Sequence, residues 1–326
     1  DSLGIELSEG DMLTERDAFG ETSLCSTRVF WKRPKTGTNG KGTKPEYTLA
    51  SAYSEFMERL QNRAILSGEY RSPDLVYLDK SFFLNSEYKS FYENFYYELT
   101  SSDKKLSLGE FIDEWQKYDD NNKNGKVKCV EFYNVNLKKT IFVPVIPILE
   151  NICSNGMCAG NTPEEALVQG ISEILERYCA KQIILNYYIP PVIDAKYYLQ
   201  FDNIRRIVDA FENHGYKIEV RDASLGKKFP VVMGIVSKGD FYSVNFGSHP
   251  ILNIAVERTF TEQQWKIQYS KVMTSLPSWK FDESIWKFEH TSNKLLLENY
   301  VNILKNFNYD VLVRDVSFLN FPSFHI

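Results

Sequence analysis

The sequence is short of the residues that several common chemistries require. It has five cysteines (25, 129, 153, 158 and 179) and four histidines (214, 249, 290 and 325) in 326 residues. Five Cys at this length form no disulfide framework and point to a reducing compartment; the expected location is the cytoplasm. Cys153 and Cys158 stand close together, but no second Cys or His pair accompanies them, so no zinc site is expected. No run of 18 apolar residues occurs, so no membrane-spanning helix is expected, and no stretch reads as a signal peptide. Excess positive charge is also lacking: the net charge of −5 gives no electrostatic case for a nucleic-acid partner. What is present is ordinary for a globular protein, with 43% hydrophobic and 25% charged residues.

One stretch organises the rest. Asn161–Arg177 reads NTPEEALVQGISEILER. Thr162 reads as the N-cap, Pro163 as the first helical residue, and Glu165, three past the cap, completes a capping box. At about 100° per residue, Asn161, Glu165, Gln169, Glu173 and Glu176 fall within an arc of roughly 120°, with Arg177 at its edge. Leu167, Val168, Ile171, Ile174, Leu175 and Tyr178 lie opposite and face the core. Stacked Glu with no interleaved Lys mildly destabilises a lone helix. Such a face is either solvated or holds a cation.

Two further helices repeat the pattern. Pro45–Leu60 turns Leu49, Ala52, Tyr53, Phe56, Met57 and Leu60 to one side, and Glu55 and Glu58 to the other, with Arg59 beside them. It follows a Gly-rich stretch, TGTNGKGT (36–43). A Walker-type loop needs Gly-x-x-x-x-Gly-Lys-Ser/Thr; here Lys35 stands five before Gly40, and Gly42 follows Lys41, so the match fails. The stretch reads as a flexible turn, or as backbone that must approach something closely. The third helix lies in FGSHPILNIAVERTFTE (246–262), where Arg258 and Glu262 share a face. Gly42-x-x-Pro45, Gly160-x-x-Pro163 and Gly247-x-x-Pro250 each launch one of the three.

The remainder reads more coarsely. Strands are expected at Ser26–Trp31, Val127–Tyr133, Thr140–Val145 and Tyr216–Ala223, with a hairpin over Phe229–Val236 and Phe241–Phe246, and a helix at Ile204–His214. GYKIEVRDAS (215–224) and NYDVLVRDVS (308–317) echo each other, each after an amphipathic helix. The expected fold class is therefore α+β, with repeated helix–strand units and sheets backed by helices. One domain over 1–326 is expected, cut short at both ends and interrupted near Trp265–Trp279, with an irregular insertion at about 61–140. Within that insertion DDNNKNG (119–125) lacks the closing Glu of a calcium loop and reads as a plain loop.

If the three polar faces converge, Glu55, Glu58, Glu165, Glu173, Glu176 and Glu262 come together beside Arg59, Arg177 and Arg258. Uncompensated, that costs several kcal/mol for each buried ion, and like charges raise one another's pKa. Hard divalent cations resolve it; Mg²⁺ takes oxygen ligands and shares them with substrate phosphates. Arginine clamps phosphate oxygens in bidentate fashion. The combination reads as a metal–nucleotide site. A di-iron carboxylate bundle would need Glu-x-x-His pairs, which the four histidines do not supply.

NGKGTKPEYTLASAYSEFMERL (39–60), SNGMCAGNTPEEALVQGISEILERY (154–178) and RDASLGKKFPVV with FGSHPILNIAVERTFTE (221–262) resemble the YcaO family. The resemblance runs from about Thr36 to Glu262, more weakly to Ile326, and implies a YcaO-type fold. It implies an ATP- and Mg²⁺-dependent enzyme in which a backbone amide oxygen attacks the γ-phosphate of ATP. It also implies that Glu55, Glu165, Glu173, Glu176 and Glu262 bind metal, and that Glu58, Asn161, Gln169, Arg177 and Arg258 bind nucleotide. Glu173, Glu176 and Arg258 are then the catalytic set. The branch it resembles is associated with β-methylthiolation of a small-subunit ribosomal protein, as an accessory factor. Azoline or thioamide formation on a peptide is the alternative outcome, and a nucleotide-binding scaffold without turnover is another. The expected partners are a peptide or protein substrate, a delivering protein and a second copy in a homodimer, with no nucleic acid and no membrane. The family's early Lys and Ser contacts to phosphate would precede Asp1.

Overall fold

The computed structural model describes residues 7–9, 25–31, 37–64, 75–85, 87, 89–99, 106–118, 125–145, 154–261, 275–287 and 289–326. Glu262, Cys153, nearly all of the 119–125 loop and most of the 265–279 stretch lie outside these. In chain order the elements are β1 (Leu7–Glu9), β2 (Cys25–Trp31), β3 (Gly37–Gly42), α1 (Pro45–Gln61), β4 (Val76–Asp79), α2 (Lys80–Asn85), α3 (Lys89–Leu99), α4 (Leu108–Tyr118), β5 (Lys126–Asn134), β6 (Lys139–Pro144) and β7 (Met157–Ala159). They continue with α5 (Pro163–Leu185), α6 (Asp202–Asn213), β8 (Lys217–Asp222), β9 (Val231–Lys238), β10 (Phe241–Ser248), α7 (Leu252–Thr261), α8 (Asn293–Asn306), β11 (Leu312–Asp315) and β12 (Ser323–His325). Helices and sheets are mixed, as the α+β expectation requires.

The chain divides into two compact units, where the sequence reading expected one domain with an insertion. One unit holds residues 1–66, 156–309 and 315–326; the other holds 67–155 and 310–314. In the second unit, β5 takes β4 on one side and pairs in antiparallel register with β6, Glu131 opposite Phe142. β11 also pairs with β5, Leu312 opposite Asn134. Phe83, Tyr92, Phe111 and Ile112 from α2, α3 and α4 bury against Val127, Cys129, Val130 and Ile141 of this sheet. The aromatic-rich composition of 61–140 is the core of that unit.

The first unit carries the three helices singled out above. Two antiparallel sheets, β1-β2-β3 and β10-β9-β8, and the β12–β7 pair lie beneath them. The Gly-rich stretch at 36–43 was expected to be a turn, and it is instead β3, paired with β2 from Gly37 opposite Phe30 to Gly42 opposite Cys25. Its glycines are there for closeness. A Cβ on Gly40 would stand 2.0 Å from the Thr48 carbonyl oxygen and 2.5 Å from the Ala52 nitrogen, both of α1. Gly247 meets α7 in the same way: its Cβ would lie 2.2 Å from the Ala255 oxygen. In both places a strand passes directly under the helix that follows it, and only glycine lets the two backbones approach.

The other internal echo is also structural. α6 and α8 both end with a residue at positive φ, Gly215 (79°) and Asn308 (59°), the left-handed cap that glycine and asparagine adopt most readily. Equivalent hydrogen bonds follow: Tyr216 N to Phe211 O and Tyr309 N to Leu304 O, at 3.0 and 2.9 Å. At the far end of each echo an aspartate accepts from the backbone two residues on, Asp222 from Ser224 and Asp315 from Ser317, both at 2.9 Å.

Candidate functional site

α5 is the axis of the site. Thr162 caps it, accepting from Glu165 N at 3.2 Å, with Pro163 in the first turn. Only half of the expected capping box forms, because the Glu165 carboxylate accepts from Asn161 Nδ2 at 3.2 Å. Ala166, Val168, Ile171, Leu175, Cys179 and Ile183 are buried on one side. Leu167, Ile174 and Tyr178, expected in the core, are only half-buried. Glu165, Gln169, Glu173 and Glu176 are half-buried too, so the acidic stripe is not a freely solvated surface.

α1 brings its acidic face to the C-terminal half of that stripe. Glu58 is the deepest of these carboxylates, with its side chain 13% exposed. Burial pushes its pKa well above the usual carboxylate range; Arg59 and Arg177 pull it down, while Glu173 and Glu55 push it further up. Those four neighbours come from two helices, so the Glu-x-x-Glu-Arg faces of α1 and α5 meet. Arg59 is shared between Glu55 at 3.3 Å and Glu58 at 3.4 Å, and Arg177 pairs with Glu173 one turn back. Ser54 of α1 donates to the Ala159 carbonyl of β7 at 3.2 Å, and so fixes the approach.

α7 reaches the N-terminal half. Arg258 donates to the Ser248 carbonyl at 2.9 Å and to Gln169 Oε1 of α5. Arg258 has no carboxylate partner among the described residues. His249 lies beside it, buried; desolvation and the Arg258 charge hold its pKa down at about 3, so the imidazole stays neutral. Glu257, which the sequence reading passed over, accepts from Thr43 at 3.2 Å and from Asn203 at 2.5 Å. It thereby ties the entry to α1 and the start of α6 onto α7.

The structure thus gathers Glu55, Glu58, Arg59, Glu173 and Arg177 in one cluster, and Gln169 and Arg258 in a second along the same helix. Glu176 and Glu165 lie on the shared stripe. Glu262 is outside the described residues. Among the described residues, no three His, Cys, Asp or Glu side chains stand together as a finished metal-ligand set. Arginine or asparagine nitrogen occupies four of the carboxylates instead. The donor chemistry nonetheless suits a hard cation, because it is all carboxylate and amide oxygen. Ser248 was not legible as a site residue, because it is its backbone carbonyl, not its side chain, that holds Arg258.

A family model described as YcaO cyclodehydratase, ATP- and Mg²⁺-binding, matches residues 39–265. The chain belongs to the YcaO family. The match spans α1, α5 and α7 with all their acidic and arginine positions. Among curated proteins, the ribosomal protein S12 methylthiotransferase accessory factor YcaO of Escherichia coli is 29% identical over 246 residues, 69% of this chain and 40% of that protein. The chain spans about 40% of the length of the curated relatives it matches. Among solved structures, a heterocyclase in complex with substrate and cofactor superposes with a TM-score of 0.66 at 15% identity, covering 97% of this chain and 49% of that one. The YcaO protein of Methanopyrus kandleri bound with AMPPCP and Mg²⁺ superposes with a TM-score of 0.61 at 16% identity, covering 99% and 85%. At these identities the structural neighbours establish the YcaO fold. ATP and Mg²⁺ are the cofactors of the family.

Proposed function

We propose that this YcaO chain binds ATP with Mg²⁺ and activates a backbone amide of a peptide or protein. The observation that carries the reading is the meeting of three helices along α5: acid and arginine of α1 at one end, and at the other Arg258 of α7, which has no carboxylate partner among the described residues. When bound, the nucleotide supplies a γ-phosphoryl group that the amide oxygen can take, with ADP as leaving group. Glu55, Glu165, Glu173, Glu176 and Glu262 are the cation-holding carboxylates. Arg177 and Arg258 clamp phosphate oxygens, each giving up a side-chain partner to do so, and Asn161, Gln169 and Glu58 orient the nucleotide. Arg258 suits this, since the Ser248 carbonyl holds one of its nitrogens and no carboxylate pairs with it among the described residues. The activated amide is then modified, in the manner of an accessory factor to methylthiolation, as the name of the E. coli relative suggests. The protein works in the cytoplasm as a homodimer on a substrate that a partner delivers.

Phosphate release from ATP, with and without candidate peptides, tests the proposal. Glu173→Gln and Glu176→Gln are expected to abolish release while leaving the fold intact. In metal-free buffer both are expected to melt above the parent, because each removes one of several crowded negative charges. Parent-like hydrolysis in both variants would overturn the assignment. A nucleotide-binding scaffold without turnover is the competing outcome of the same test. Calorimetric binding of Mg²⁺·ATP with no phosphate release under any condition would select it.

A further inference from the structure

Arg59 leans on the acid of its own helix. Its Nη2 donates to Glu55 Oε1 at 3.3 Å, and its Nε lies 3.4 Å from Glu58 Oε1. The contact with Glu55 has the usual one-turn spacing. The contact with Glu58 does not, because consecutive residues point about 100° apart on a helix and do not face each other. The side chain has therefore folded back until one edge of its guanidinium spans both carboxylates. It is 24% exposed, so it lies within the cluster rather than over it. A carboxylate as deep as Glu58 needs a cation beside it, since an unpaired buried charge is strongly destabilising. Burial raises the Glu58 pKa, and among the described charges Arg59 opposes that rise most.

The hold is loose. Charge-assisted N–H···O contacts close to about 2.7–2.9 Å, and both contacts of Arg59 are longer. Elsewhere in the chain Lys80 and Asp113 meet at 2.6 Å. A guanidinium stretched between two oxygens satisfies neither fully. Mg²⁺ approaches carboxylate oxygen to about 2.0–2.1 Å and carries twice the charge. The device is repeated on α5, where Arg177 pairs with Glu173 one turn back. Glu-x-x-Glu-Arg thus encodes, within one turn of each helix, an acidic pair and the arginine that compensates it.

We infer that Arg59 is the built-in counter-cation of the metal-free site: it occupies Glu55 and Glu58, and by competing for Glu55 it sets how much Mg²⁺ the site needs. This rests on the reading of Glu55 as a cation-holding carboxylate. It adds that loading is an exchange of one cation for another, so the acidic face of α1 is compensated in both states.

The test follows the melting temperature of the full chain across a series of Mg²⁺ concentrations, for the parent, Arg59→Gln, Arg59→Lys and Glu55→Gln. In metal-free buffer Arg59→Gln is expected to melt about 3 °C below the parent, because the acid has lost its partner. The Mg²⁺ concentration at its midpoint is expected to fall about tenfold. Arg59→Lys keeps the charge but not the planar fork that spans two carboxylates, and its midpoint is expected to fall about threefold. Glu55→Gln is expected to lose the Mg²⁺ response. A merely structural ion pair would lower the melting temperature equally at every Mg²⁺ concentration and leave the midpoint unmoved. That result in Arg59→Gln, beside a lost response in Glu55→Gln, would overturn the counter-cation role and leave the site reading intact. A parent-like midpoint in Arg59→Lys would show charge acting at a distance rather than occupancy, and would overturn the role as well. Should Arg59→Gln fold poorly, Arg59→Lys carries the test by itself. A parent without any Mg²⁺ response, or a Glu55→Gln that responds as the parent does, would overturn the metal reading on which the inference rests.

Discussion

Glu58 and Asp222 are carboxylates that the folded chain holds against their solution preference, for different reasons. Glu58 is buried where two helices bring acid together. Asp222 is completely buried at the end of β8, and burial raises its pKa to about 6. Its Oδ1 accepts from Ser224 N, while Oδ2 makes no well-formed hydrogen bond. A carboxyl with a raised folded pKa binds more protons folded than unfolded, so stability falls as pH rises. For Asp222 that loss begins above its ordinary value of 3.8 and is complete once pH exceeds about 6. Asp222→Asn keeps an acceptor for Ser224 and removes the charge. It is expected to gain up to about 3 kcal/mol at pH 7, from about two pKa units, and to flatten the pH 4–6 slope of the melting temperature. An unchanged slope would show that Asp222 is not the group responsible. Glu58→Gln should likewise raise metal-free stability at pH 7, as read by denaturant midpoint.

At the scale of elements, the recurring device is a glycine-bearing strand running under the helix that follows it. Gly40→Ala puts a methyl group 2.0 Å from a backbone oxygen of α1. Backbone cannot step aside as a side-chain tip can, so β3 and α1 must separate. The expected outcome is loss of 3 kcal/mol or more, of the order of severe overpacking, or failure to accumulate as folded protein; circular dichroism melting checks it. This device also marks how far the sequence could be read. The glycine-to-proline spacing announced α1 and α5 correctly, because Pro45 and Pro163 do sit in the first turn. It misplaced the start of α7, which begins two residues after Pro250. The composition of 36–43 suggested a loop, because glycine is a poor strand former; the need for close approach outweighed that preference. The amphipathic periodicity of α5 placed its acidic stripe, since that pattern is local. Gln61 shows what was not legible. Its buried amide accepts from Phe318 N and Leu319 N at 2.8 and 2.9 Å and donates to Phe321 O at 2.8 Å. Nothing near position 61 in the sequence announces partners more than 250 residues away.

For the whole molecule, ligand linkage gives the simplest check. Anything that binds only the folded state stabilises it by RT ln(1 + [L]/Kd), about 2.7 kcal/mol at 100 Kd. Saturating Mg²⁺·ATP should therefore raise the melting temperature of the parent and leave Arg258→Ala almost unmoved. The chain path carries a further consequence. The second unit takes its β11 from residues 310–314, and the first takes β12 and the partners of Gln61 from 315–326. On a translating ribosome, β11 cannot join β5 and β12 cannot join β7 until residues 310–326 clear the exit tunnel, although the strands they pair with were made far earlier. Nascent chains stalled at residue 305 are expected to be cut readily by protease in both regions, whereas chains released beyond 326 should resist. Both units would then wait on one short stretch, and chaperones would have to guard the earlier-made portions until it emerges.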